Sequence, residues 1–132
     1  STQQHLQLLS QNLKQFQDES DAWKRLLCLL MDENVSLKYR LAEVLKDKFD
    51  NNLLDEVENF QSRFIKNDGL IGLLRNDVAE FDKLMVRERF DDGEFKKKVG
   101  NQLSKLRNNI EAAEIQFNKL KSEFNSYLSE NL

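Results

Sequence analysis

The spacing of apolar residues over the first 44 positions limits this chain more than any other feature. Leu6, Leu9, Leu13, Phe16, Ser20, Trp23, Leu27, Leu30, Asn34, Leu37, Leu41 and Val44 alternate steps of three and four. Such steps keep every member on one stripe of an α-helix with a 3.5-residue repeat. A helix of ~45 residues is about 65 to 70 Å long, well beyond an ordinary globular helix, and it needs packing partners along that length. Near the C-terminus Val99, Leu103, Leu106, Ile110, Ala113, Phe117, Leu120, Phe124 and Tyr127 form a second series with no polar member. Proline is absent and there are four glycines, so the residues that forbid or weaken helix interiors are nearly missing.

Cap-type residues at Asp18-Glu19-Ser20-Asp21 interrupt the composition but not the register, which favours one continuous first helix. Asp50-Asn51-Asn52 reads as a turn with an N-cap. A second helix over about 52–66 would bury Leu53, Val57, Phe60 and Phe64. Asn67-Asp68-Gly69 reads as its end, since glycine closes helices in the left-handed conformation. Ile71, Leu74, Val78, Phe81 and Met85 carry a third helix to about Phe90, and Asp91-Asp92-Gly93 is the next turn. Whether 50–52 and 67–69 are full turns or kinks is left open by the residues themselves.

The fold expected is all-α: one elongated, antiparallel bundle of about four helices, two long and two short, in a single domain spanning residues 1–132. The short helices overlap the long ones at one end. The other end would be a two-helix stalk of Leu6, Leu9, Leu13 and Phe16 with Phe117, Leu120, Phe124 and Tyr127, whose wet apolar area favours dimerisation. If residues 50–90 form one broken rod instead, the same lengths give a three-helix bundle of matched arms. Leu26 to Met31 is a run of six apolar residues that covers the whole helix circumference. It calls for enclosure by several helices or by an oligomer interface, because a two-stranded coil would leave Cys28 and Leu29 in water.

The formal charge of −3 offers no basic field for a phosphate backbone, so nucleic acid is not an expected partner. Residues 50–92 hold six basic and eleven acidic groups and residues 93–132 seven and five, so the two segments attract each other. An apolar share of 39% against 33% charged residues suits slender helices with one buried stripe. One cysteine cannot close an intramolecular disulfide, no stretch approaches the ~20 apolar residues of a membrane span, and a reducing, cytoplasmic setting is expected. The sequence begins at Ser1, and processing upstream of it is compatible with everything above.

No catalytic constellation is legible. His5 is the single histidine and has no nucleophile or acid at readable spacing. Cys28, among leucines, reads as a small hydrophobe rather than a reactive thiol. The Glu-x-x-His pairs of di-metal bundles are missing. Asp91-Asp92-Gly93-Glu94 fails the spacing of a calcium loop, which would end at Val99 where a glutamate belongs. Lys96-Lys97-Lys98 reads as a solvated helix face, and Gly69 and Gly72 lack the lysine and hydroxyl partners of a nucleotide loop. No catalytic residue, cofactor or metal is therefore assigned.

Two positions in the first stripe carry the candidate recognition chemistry. Asn34 occupies the heptad position of Leu27 and Leu41, where one buried amide fixes register or partner choice, or is paired inside the bundle. Trp23 reads as core, with an interface anchor as its alternative. The expected function is a non-enzymatic helical interaction or scaffold module that self-associates as a homodimer. Its candidate interface comprises Leu6, Leu9, Leu13, Phe16, Trp23, Asn34, Phe117, Leu120, Phe124 and Tyr127. The competing expectation is a small regulatory or chaperone-like protein that binds an amphipathic helix of another, client protein.

Overall fold

The computed structural model describes the backbone of residues 2–47, 51–87 and 92–131, and the side chains of Gln3 and of residues 13–46, 53–86 and 97–131. These residues form three helices and no strand: α1 Thr2–Asp47 (46 residues), α2 Asn51–Arg87 (37 residues) and α3 Asp92–Asn131 (40 residues). Of the turns expected at Asp50-Asn51-Asn52 and Asp91-Asp92-Gly93, Asp50 and Asp91 lie outside the described backbone, whereas Asn51 and Asn52 already belong to α2 and Asp92 and Gly93 to α3. His5, Leu6, Leu9 and Lys96 lie outside the described side chains.

The bundle has three helices, not four. The two short helices expected either side of Asn67-Asp68-Gly69 are one continuous α2. The cap-type side chains are used elsewhere: Asn67 and Asp68 reach across to α1 instead of capping their own helix. No described residue has a positive φ, so neither Gly69 nor Gly72 closes a helix in the left-handed conformation. A helix-interior glycine costs about 1 kcal/mol relative to alanine. Continuity instead keeps Phe64, Ile71 and Leu74 in one buried row, where each large side chain contributes about 1.5 to 3 kcal/mol.

Chain direction follows from which side chains meet. Going up α1 from Ser20 to Asn34, the α2 partner descends from Asp82 to Asp68, so α1 and α2 are antiparallel. Phe60 and Phe64 meet Phe124, and Phe60 meets Tyr127, with ring centroids 5.2 to 5.3 Å apart. Glu19 pairs with Arg107 and Glu33 with Lys121, each 88 residues on, so α1 and α3 are parallel and hold one register over two heptads. α1 and α2 approach each other most closely, and α3 packs more against α2 than against α1. Near the other end Trp23 packs edge-on to Phe81 at 5.9 Å.

This arrangement removes the expected stalk. Because α1 and α3 are parallel with that offset, Phe117 is level with Leu29 rather than with Phe16. Even the nearest members of the two halves of the proposed seam, Phe16 and Phe117, are about 20 Å apart along the bundle. Phe117, Leu120, Phe124 and Tyr127 are core residues, as is every member of the α3 series. The enclosure expected for Leu26 to Met31 also fails within the chain: Leu27 and Leu30 are buried, Leu26 and Met31 half-buried, Cys28 exposed and Leu29 55% exposed.

Candidate interaction surface

The outer face of the α1–α2 pair is built on a repeated polar clamp. Ser20 Oγ donates to Asp82 at 2.6 Å, and Lys24, one turn on, pairs with the same carboxylate. Two heptads later Asn34 donates to Asp68, and Lys38, one turn on, pairs with that carboxylate. Each clamp thus joins a small polar residue in the α1 stripe to an aspartate on α2, with a lysine closing it from the solvent side. Asn34 is fully buried. Its amide donates to the Phe64 carbonyl at 3.0 Å as well as to Asp68, and its oxygen accepts from Asn67 Nδ2 at 3.2 Å. All three hydrogen-bonding groups of the amide plane are occupied, which is the condition for a buried polar group to be tolerated. Between the clamps Met31 meets Arg75.

On the α3 side the flank is closed by ion pairs. Arg107 grips Glu19 with two bonds, and the hydrogen bond raises its guanidinium above the ordinary arginine value. Arg63 reaches Glu123 at 2.6 Å and stands over the Phe60 ring at 5.6 Å. These contacts are half-exposed and position helices more than they stabilise them. The depressions along the α2–α3 groove are open to solvent rather than enclosed.

Outside the clamps lies an apolar strip. By heptad position Cys28, Val35 and Ala42 form a row on α1 beside the clamp lysines, and Ile65, Gly72, Ala79 and Val86 form the matching row on α2. All of these residues are exposed, Ile65 by 57% and Val86 by 70%. Leu29 and Asp32 with Arg25 and Cys28 line a shallow, mostly apolar depression on α1. A Cβ placed on Gly72 meets nothing within 4 Å. Packing inside the chain therefore gives no reason for glycine at that position, although it weakens the helix.

The residues expected to form an interface separate into two groups. Trp23, Asn34, Phe117, Leu120, Phe124 and Tyr127 are buried within one chain, and Leu13 and Phe16 pack half-buried against the same core. Leu6 and Leu9 lie outside the described side chains. The exposed strip was missed because its members fall off the dominant stripe. The available signal was Cys28 and Leu29, apolar residues on the wrong side of a helix already supplied with a core face.

No family model, curated protein or solved structure matches this chain. The class defined by the residues described is a long three-helix bundle with a clamped α1–α2 pair and an unpartnered apolar face. No helix among them is long and apolar enough to cross a membrane, and they hold no cluster of three or more metal-ligating side chains.

Proposed function

We propose that the chain is a non-enzymatic helical interaction or scaffold module that self-associates through the outer face of α1 and α2. The observation that carries this reading is the exposed strip of Cys28, Val35, Ile65, Gly72 and Val86, laid over a helix pair whose register the clamps hold fixed. Exposed apolar side chains that recur at one heptad position on two helices held in fixed register suit a binding face on a rigid support better than apolar residues scattered singly. The helix-weakening glycine on the same strip is understandable if another backbone approaches it closely.

Sedimentation equilibrium of the full chain tests the reading. Association that strengthens up to ~100 µM and persists in high salt is the expected result, because an apolar strip is screened little. A mass of one chain throughout that range refutes self-association. The strip would then fit the client-helix alternative, in which an amphipathic segment of another protein lies along it.

A further inference from the structure

Two residue patterns on the outer face share one centre. On α2 the row Ile65, Gly72, Ala79, Val86 is symmetric in size, large at both ends and small at both inner positions, about a midpoint between Arg75 and Asn76. On α1 the exposed Arg25 and Asp32, which share one heptad position, are mirrored in position and opposed in sign about a midpoint between Cys28 and Leu29. The clamps bring these midpoints level to within about a turn, since Lys24 reaches Asp82, Lys38 reaches Asp68 and Met31 between them meets Arg75. Arg25 and Asp32 have no ion-pair partner among the described residues.

From this shared centre we infer that the face is a two-fold self-association surface whose occupant is a second copy of the chain. The inference rests on the self-association reading above and specifies its geometry. The axis crosses the helices at the two midpoints, so each α1 lies antiparallel on the α1 of its partner and each α2 on the α2 of its partner. Arg25 then meets Asp32 of the partner subunit, a pair formed twice. Gly72 lies against Ala79 of the partner subunit, where small residues let the backbones come close, and Ile65 packs on Val86 of the partner subunit. Cys28 and Leu29 fill the centre.

An unrelated helix gives no reason for a pattern symmetric in size on one helix and antisymmetric in charge on the other. A two-fold interface requires both, because whatever residue i offers to j it must accept from j. The area fits a weak, reversible dimer. From Ile65 to Val86 the face is about 32 Å long and, two helices across, about 18 Å wide, or roughly 570 Å² per copy.

The decisive experiment is a charge reversal read by sedimentation equilibrium, with far-ultraviolet circular dichroism confirming that each variant keeps its helix. Arg25→Glu and Asp32→Arg should each weaken dimerisation about tenfold, since two attractive pairs become two repulsive ones. The double variant should recover to within about threefold of the wild type. As an independent second test, Gly72→Leu should block dimerisation by holding the α2 helices apart. If the wild type dimerises but the double variant is no better than its singles, this two-fold geometry is overturned while self-association stands. A wild type that is a single chain at ~100 µM overturns both.

Discussion

Replacing Asn34 by alanine tests the most demanding contact in the bundle. The side chain is fully buried, and its amide serves Phe64, Asp68 and Asn67 at once. Truncation leaves the Asn67 amide, itself 8% exposed, without its acceptor, at about 1 to 3 kcal/mol. Asp68 loses one hydrogen bond but keeps Lys38 and, being 34% exposed, regains water, so its share is nearer ~1 kcal/mol. The sum is roughly 3 kcal/mol, equivalent to about 10 °C in Tm for a chain of this length. Urea unfolding at fixed protein concentration, followed at 222 nm, gives the number. The double variant with Asn67→Ala should be about 1 to 2 kcal/mol more stable than additivity allows, because it removes the orphaned amide. A loss below ~1 kcal/mol, or strict additivity of the two substitutions, would refute the network as described.

Leu30→Asp should destabilise by several kcal/mol, since Leu30 is buried in the apolar core cluster; an unchanged thermal midpoint would contradict its placement. Gly69→Ala should raise stability by about 0.5 to 1 kcal/mol, because the added Cβ meets nothing and the helix is continuous there; a loss in Tm would restore the break expected at this position. Leu120→Lys should unfold the chain rather than yield a folded monomer, because Leu120 is core and not an outer seam. Retention of a helical spectrum with a cooperative transition would bring back the two-helix stalk.

Helix content and the buried faces of α1 and α3 were legible in the sequence because each is a single unbroken period. The described α1 members from Ser20 to Leu41 and all nine α3 members are buried where the spacing put them. The continuity of α2 was legible too, but overruled. Val57, Phe60, Phe64, Asn67, Ile71, Leu74, Val78, Phe81 and Met85 form one series of threes and fours. Asn-Asp-Gly chemistry in its middle imitates a helix end, yet local capping preference is worth about 1 kcal/mol and gives way to a continuous core row and a tertiary use for the same side chains. The direction of α3 relative to α1 depends on how many helices intervene, so the error in helix number reversed the expected stalk. The outer strip was hidden because a heptad reading assigns its residues to solvent.

The alternation of the clamps explains how such regular helices avoid pairing one heptad out of place. Leucine stripes alone discriminate poorly between registers, since a shift of seven residues restores nearly the same packing. Here the α1 stripe places Ser20 and Asn34 two heptads apart, and α2 answers with Asp82 and Asp68 two heptads apart, with Arg75 midway. A slip by one heptad in either direction brings Arg75 onto Lys24 or Lys38 and an aspartate beside Met31. A lysine–aspartate attraction is thereby exchanged for a repulsion between cations and a carboxylate against a thioether. Attraction in the native register and repulsion in its nearest competitors act together, which is how specificity is obtained from pairs that individually contribute little. The same fixed register keeps the size pattern of α2 level with the Arg25–Asp32 charge pair of α1, so the clamps and the exposed face are parts of one arrangement.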